Sequence, residues 1–293
     1  MEHFENKNRT LKNYNFGILM MISSSFFLSL MAILVKSLKD FPIMEITFFR
    51  NLPTIVIVTM MLRSKKISIF GNNQNLLFVR SFFGITSQIG YFYTCTLLIL
   101  SDAMAIRQLA PIFIFIFSVI LLKEKYKYKQ LLIFLVSFLG ALFIIKPGIR
   151  VNFFPVFVGI FSAILLSGSY VVVRELRKSE NALVIVNHLS WCICIFSLVG
   201  LIITRQFVLP NFFNYIQFML LGLFGLVSQF TLTRAYQVVP ASLVSLYMYT
   251  QIIFSCILDY FIFSDIPDLY SFFGTSLIIF SGYLNYSSRL KSH

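Results

Sequence analysis

Charged residues, and acidic ones above all, are scarce in this sequence of 293 residues. Only 12% of the residues are charged, and Asp and Glu together number 11. A soluble domain carries about 25% charged residues, so this composition excludes an ordinary water-soluble protein. Hydrophobic residues make up 58% of the chain, and the mean hydropathy is +0.84. The composition predicts a chain that lies mostly in lipid and leaves no room for a soluble domain.

Histidine and the common catalytic motifs are nearly absent. His3 and His293 lie in polar tails, and His188 stands alone near the start of an apolar run. No glycine-rich phosphate loop, nucleophile elbow or paired-histidine zinc motif occurs. The sequence therefore predicts no catalytic residue, no metal and no cofactor. A polytopic membrane enzyme is the less favoured alternative, because it would group several acidic or histidine side chains at one interface.

Cysteine is rare as well, and its positions indicate packing. The four cysteines all lie inside apolar runs, and none has the spacing of a metal site. They are Cys95, Cys192, Cys194 and Cys256.

Long apolar runs fill the rest of the chain. A helix needs about 20 mainly apolar residues to cross a hydrocarbon core of about 30 Å. Ten runs meet this requirement, at 17–35, 44–62, 76–98, 103–122, 130–145, 153–173, 183–203, 213–233, 241–263 and 269–286. The first run follows the polar residues 1–16 and has no small-residue cleavage site, so it is interpreted as a retained span. The sequence predicts an all-α integral membrane protein with ten transmembrane helices.

The basic residues predict how these spans are oriented. The net charge is +13, but Lys and Arg lie between the apolar runs and not on one face, which excludes a typical nucleic-acid partner. Sixteen of them fall on the side of the termini, five on the opposite side, and Arg50, Arg80 and Arg107 lie within spans. The positive-inside rule then places both termini in the cytoplasm.

A displacement of the sequence against itself by 141 residues reveals an internal repeat. It lays residues 83–88 onto 224–229, which share the pattern Phe-Gly-x-x-Ser-Gln, and it pairs Ser101 with Ser242, Gln108 with Tyr249 and Glu124 with Asp265. Each copy holds five spans, an odd number, so the second copy enters the membrane from the opposite side. A 5+5 inverted repeat of this kind is typical of transporters, whose halves enclose a site near the bilayer midplane.

Local motifs resemble one known family. The run Ser101-Asp102-Ala103-Met104-Ala105 leads to Pro111, then to Leu121-Leu122-Lys123-Glu124 and Gly140-Ala141. This order is similar to the paired EamA modules of the drug/metabolite transporter superfamily. In the second half, Gln251-Ile252 occupies the position of the family proline, and Ser264-Asp265 replaces the family's Gly-Glu. Without that proline, the sequence does not decide whether the ninth span is bent.

The resemblance covers nearly the whole chain and implies its organisation. Residues 1–16 would form a cytoplasmic tail, 17–146 the first module, 153–286 the second and 287–293 a second cytoplasmic tail, in a bacterial inner membrane. More narrowly, the chain resembles the S-adenosylmethionine uptake carriers of rickettsial bacteria. That likeness implies uptake of S-adenosylmethionine by alternating access, with S-adenosylhomocysteine as an exchange partner. Export of amino acids, drugs or other small metabolites is the alternative.

Ten residues are the candidates for substrate binding. Ser87 and Gln88 share a helix face with Gly84, and their counterparts in the second copy do the same. Ionisable side chains deep in lipid are costly and mark functional sites by default. Aromatic rings suit a sulfonium or an adenine. The candidates are Arg50, Ser87, Gln88, Tyr91, Arg107, Gln108, Trp191, Ser228, Gln229 and Tyr249.

Each candidate also has a structural interpretation that stays open. Small residues and glutamine commonly join helices in lipid. Arg80 and Asp259 lie one turn from a span end, where a long side chain can reach the interface.

Overall fold

The computed structural model describes residues 2–38, 40–98, 100–125, 128–145, 153–263 and 269–290, and within them all regular structure is helical. The first six helices are α1 (Glu2–Ser37), α2 (Ile43–Ser64), α3 (Gln74–Leu97), α4 (Leu100–Arg107), α5 (Ala110–Leu122) and α6 (Tyr128–Ile145). The other six are α7 (Phe153–Leu176), α8 (Ala182–Thr204), α9 (Phe212–Val238), α10 (Ala241–Val244), α11 (Thr250–Phe263) and α12 (Leu269–Leu290). A 3-10 helix, Ser245–Tyr249, joins α10 to α11.

Eight segments in the described ranges are long and apolar enough to cross a membrane. They are Lys12–Val35, Ile43–Ser64, Ala103–Leu122, Tyr128–Ile145, Phe153–Leu176, Ala182–Thr204, Phe212–Val238 and Ala241–Ile262. Two more spans were expected from the sequence, and α3 and α12 occupy their positions with 24 and 22 residues. Polar side chains along α3 and α12 lower their hydropathy, so ten spans remain a prediction.

The helices of the two chain halves pack mainly against one another. The main contacts join α3 to α7, α1 to α9, α2 to α8 and α6 to α12. Glycine permits the last contact, because a Cβ on Gly140 would lie 2.7 Å from the carbonyl oxygen of Gly274, and a Cβ on Gly274 would clash with the Gly140 carbonyl. Small residues let helix backbones approach closely where lipid supplies no hydrophobic driving force.

Two reciprocal serine pairs hold the α3–α7 and α1–α9 contacts together. Ser87 and Ser162 each donate a hydroxyl to the other's main-chain carbonyl at 2.8 Å. Ser24 donates to the Ser228 carbonyl at 2.9 Å, and Ser228 donates to the Ser24 carbonyl at 3.0 Å. Each hydroxyl thus finds a partner where no water is at hand.

Two predicted spans are interrupted within their first half. The fourth span breaks at Gln108 and Leu109, between α4 and α5. Pro111 accounts for this break, since it lacks an N–H and its ring clashes with the carbonyl four residues earlier. The ninth span breaks at the 3-10 helix although it has no proline. The sequence left this second interruption open, and the structure contains it.

Serines of the neighbouring helices satisfy carbonyls at both breaks. Ser167 on α7 donates to the Ala110 carbonyl at 3.0 Å, and Ser29 on α1 donates to the Gln251 carbonyl at 2.9 Å. Each serine thereby ties the start of the helix that follows a break to a neighbouring helix.

Candidate functional site

The two helix interruptions meet in the protein interior. The Tyr249 hydroxyl donates to the main-chain carbonyl of Gln108 at 3.1 Å. Tyr249 is fully buried, with 0% of its surface exposed. The repeat displacement predicted these two residues to be counterparts, and the structure brings them into contact. Interrupted helices in corresponding positions of two halves are the strongest structural pointer to a binding site in a membrane carrier.

Arg107 lies at the edge of the first interruption and stacks on Tyr91 of α3. The centre of its guanidinium group is 4.2 Å from the centroid of the Tyr91 ring, which is cation–π geometry. One terminal nitrogen, Nη1, is buried and has no hydrogen-bond partner in the described residues. The ring orients the guanidinium but leaves hydrogen-bonding capacity unused.

Arg50 approaches the same region from α2. Its side chain passes over Gly225 of α9, where an added Cβ would lie 3.5 Å from Cγ of Arg50. Arg50 lies within electrostatic reach of Arg107, so the two positive charges repel each other. Neither arginine forms an ion pair with a carboxylate in the part of the chain that the structure describes.

Two glutamines each lie one helical turn from a residue that contacts one of these arginines, Tyr91 or Gly225. Gln88 lies one turn before Tyr91 on α3 and places Nε2 3.5 Å from the Thr47 hydroxyl, one turn before Arg50 on α2. Gln229 lies one turn after Gly225 on α9, and its Oε1 is buried without a partner among the described residues.

A narrow crevice with a cavity volume of about 10 Å³ opens beside Gln88, between α2, α3 and α8. Its polar lining residues are Thr47, Gln88 and Ser197, and the others are Met44, Ile85, Ile89, Phe92, Ile193 and Phe196. We call Arg50, Gln88, Tyr91, Arg107, Gln108, Gln229 and Tyr249 the central cluster.

Three further predicted site residues have other surroundings. Ser87 and Ser228 use their hydroxyls between helices, as described above, because a short side chain bonds the backbone that packs against it. Trp191 is 45% exposed on the outer face of α8, away from the helix contacts. In this structure both serines thus join packed helices, as the structural interpretation of the sequence predicts.

Arg80 differs from the sequence expectation, and His188 has a hydrogen-bond partner on α3. Arg80 was expected to reach the membrane interface, but only 3% of it is exposed, and its Nη1 donates to the Ser169 hydroxyl at 2.7 Å. His188 is hydrogen-bonded to the Ser81 hydroxyl, 2.9 Å from Nδ1. Within the described residues, no group of three or more His, Cys, Asp or Glu could hold a metal. The side chain of Asp259 lies outside the described residues.

A second polar constellation, at one end of the helices, escaped the sequence interpretation. The carboxylate of Glu124, just after α5, accepts the backbone N–H groups of Ala241 and Ser242 at 3.0 and 2.9 Å. It also accepts the Ser242 hydroxyl at 2.7 Å and Nε of Arg174 at 3.2 Å. A carboxylate at the first turn of α10 satisfies its free N–H groups and complements its dipole. We call Glu124, Arg174, Ala241 and Ser242 the Glu124 clasp.

Arg174 extends the clasp to a third helix. Its Nη1 donates to the carbonyls of Tyr236 and Gln237, at 3.1 and 2.8 Å, near the end of α9. The self-alignment held a signal for the clasp, since it paired Glu124 with Asp265. Asp265 lies outside the described residues. A cleft with a volume of about 220 Å³ adjoins the clasp, lined by Leu122, Glu124, Lys125, Arg174, Glu175, Arg177, Lys178 and Pro240.

Comparison with known proteins identifies relatives along the whole chain. The EamA-like transporter family matches residues 15–146 and, a second time, residues 153–287. The pseudopaline exporter CntI of Pseudomonas aeruginosa is 28% identical over 268 residues, covering 90% of this chain and 93% of its own. An uncharacterized transporter of Helicobacter pylori is 28% identical, covering 92% and 94%.

The chain is also similar to a eukaryotic protein and to a solved structure. Solute carrier family 35 member G1 of Mus musculus is 27% identical over 285 residues, covering 90% of this chain and 76% of its own. One crystal structure superposes with a TM-score of 0.82 at 16% identity, over 91% of this chain and 94% of the other. At that identity the likeness concerns the fold alone.

Proposed function

Because the chain belongs to the EamA-like transporter family, we propose that it is a secondary transporter that carries a small metabolite across the membrane by alternating access. One observation carries the proposal: each of the two family-matched segments contains an interrupted helix, and the interruptions meet at the Tyr249–Gln108 hydrogen bond. Interrupted helices offer free backbone groups and helix ends to a cargo near the midplane.

The proposed architecture has ten spans in two inverted sets of five. In it, α3 and α12 complete the eight spans that composition supports. The helix contacts favour this arrangement. The counterparts of α3 and α7 in the other half are α9 and α1, and the α3–α7 contact is matched by an α9–α1 contact. The count of Lys and Arg puts both termini on the cytoplasmic side of a bacterial inner membrane.

The central cluster is the proposed binding site for the cargo. Arg107, Tyr91 and Arg50 supply positive charge and an aromatic face, and Gln88 and Gln229 supply amide groups. The Glu124 clasp closes one end of this site, because it ties the segment after α5 to α7, α9 and α10. By the charge count this is the cytoplasmic end, so the cargo leaves on that side only after the clasp opens.

S-adenosylmethionine is the cargo that the sequence resemblance favours for uptake. Its carboxylate suits an arginine, and its sulfonium and adenine suit an aromatic ring. Likeness to a pseudopaline exporter favours the alternative, in which the protein exports a small metabolite. Both directions use the same site.

Reconstitution into lipid vesicles tests this function. Vesicles loaded with unlabelled S-adenosylmethionine would take up the labelled compound by counterflow, and vesicles loaded with amino acids or S-adenosylhomocysteine would reveal other cargoes. Tyr249→Phe should slow counterflow, whereas Tyr283→Phe, at a position 65% exposed, should leave it unchanged. If folded protein carries none of these compounds faster than empty vesicles do, the proposed cargo range is wrong.

A further inference from the structure

Arg50, Arg80 and Arg107 lie within helices of the bundle, and none of them forms an ion pair with a carboxylate among the described residues. Glu45, a buried carboxylate on α2, accepts the Val208 N–H instead. A buried charge in lipid is costly unless it is paired and hydrogen-bonded. Something other than these described carboxylates therefore has to balance the cluster.

The three arginines differ in how many of their guanidinium hydrogen-bond donors have no partner among the described residues. Arg80 donates to Ser169 and lies over the Tyr170 ring at 5.8 Å, so its position is explained by packing. Arg50 and Arg107 make no hydrogen bond to any described residue, and Nη1 of Arg107 is buried without a partner. Tyr91 holds Arg107 from one side only, which leaves its donors free for a planar oxyanion.

The cleft beside the Glu124 clasp, at one end of the protein, also carries an excess of positive charge. Its lining includes Lys125, Arg174, Arg177 and Lys178, against two carboxylates. Basic residues along a path raise the local concentration of anions and lower that of cations. An anionic group would therefore encounter favourable potential both at this mouth and at the central arginines.

We infer that Arg50 and Arg107 form a binding site for a carboxylate, so that the cargo class is small organic acids recognised through that group. The inference rests on the proposed transport function and names its substrate class. Tyr91 acts as a positioning residue that aims the Arg107 guanidinium. S-adenosylmethionine belongs to the class through its carboxylate, but its net positive charge makes it a weaker ligand than an anion of similar size.

Competition between matched ligands tests the carboxylate directly. Counterflow of labelled S-adenosylmethionine would be measured against methionine and methioninamide, and against N-acetylmethionine and N-acetylmethioninamide. Each pair differs at the carboxylate, so each acid should compete at least about tenfold better than its amide, since a good charged pair contributes more than one neutral hydrogen bond. Equal competition by acid and amide would overturn the inference even if transport itself is robust.

Arginine variants test which residues hold the group. Arg107→Gln should weaken the effect of N-acetylmethionine by about 30-fold or more, because it removes one partner of a buried charge pair. Arg107→Lys should restore part of it, and Arg63→Gln, at an exposed arginine near the end of α2, should have no effect. Unchanged competition in both Arg50→Gln and Arg107→Gln would assign the site elsewhere.

A binding measurement separates this inference from the transport function. Thermal stabilisation of the purified, monodisperse protein by N-acetylmethionine, with its amide as the control, does not require transport. Stabilisation that Arg107→Gln abolishes, together with no counterflow, would keep the carboxylate site and reject the transport proposal. Counterflow without acid-specific stabilisation or competition would do the reverse, and failure of both measurements would reject both.

Discussion

The Tyr249 hydroxyl donates to the Gln108 carbonyl at 3.1 Å, and the two residues are 141 positions apart. That separation equals the displacement that superposes the two halves of the sequence. Each residue lies at a break in a helix, so the bond joins the two irregular segments of the bundle. Because the bond connects the two halves, a movement that separates these segments has to break it.

Removing the Tyr249 hydroxyl should therefore affect both stability and transport. Tyr249→Phe should lower the free energy of unfolding by about 1–3 kcal/mol, because it leaves the Gln108 carbonyl buried without a donor. Thermal unfolding and counterflow of the same preparation would measure the two effects. A variant as stable and as active as the parent would remove this bond from the mechanism.

The Glu124 clasp should show strong coupling between its charged partners. The double-mutant cycle of Glu124→Gln and Arg174→Gln should give a coupling energy of about 1–3 kcal/mol in the free energy of unfolding, because the pair is nearly buried and shares one network. Glu175→Gln and Lys178→Gln form the matched control, since that ion pair is exposed, and about 0.5 kcal/mol or less is expected. Similar coupling in both cycles would contradict a structural role for the clasp.

Opening of the clasp should also be visible as accessibility. Glu124→Gln removes the charge that holds Arg174 and the first turn of α10, so a cysteine placed at Ser242 should react faster with a water-soluble maleimide. The reaction rate of Ser242→Cys with Glu124→Gln is compared with that of Ser242→Cys alone. Ser242→Cys with Glu175→Gln is the control, because it removes a nearby charge but keeps Glu124. No acceleration with Glu124→Gln would mean that the end stays closed without the carboxylate.

The serine pairs should matter for stability and not for cargo affinity. Ser87→Ala and Ser228→Ala should each cost about 0.6 kcal/mol, up to about 1.7, which is the range for hydrogen bonds between membrane helices. Ser276→Ala is the control, because that exposed serine bonds only within its own helix. If Ser87→Ala raises the KM for counterflow and leaves stability unchanged, this serine lines the site as the sequence first suggested.

Close packing of α6 against α12 should make Gly274 sensitive to substitution. Gly274→Ala should lower the free energy of unfolding by about 1–3 kcal/mol, because the added methyl meets the Gly140 carbonyl and side chains of α6. Gly282→Ala, on the same helix, brings its methyl to 3.7 Å from the nearest atom and should be tolerated. Equal thermal stability of the two variants would argue against this contact in the membrane.

The length and composition of the apolar runs predict the helices, and the internal repeat predicts one long-range relation. Apolar runs of sufficient length leave the backbone no alternative to helix in lipid, and Pro111 marks the first interruption. The repeat displacement pairs Gln108 with Tyr249, and the fold brings the two residues into contact. These predictions depend on residues close in the chain or on a comparison of the chain with itself.

Only the tertiary structure decided which polar side chains face a neighbouring helix. In lipid most faces of a helix are apolar, so sequence alone does not indicate which one packs. Only the structure shows that Ser87 bonds a neighbouring helix, that Trp191 is largely exposed and that Arg80 is buried. The Glu124 clasp joins residues 50 and 118 positions apart, a separation that depends on how α7 and α10 are packed. Helix formation follows from local sequence, whereas helix contacts follow from the fit of distant surfaces.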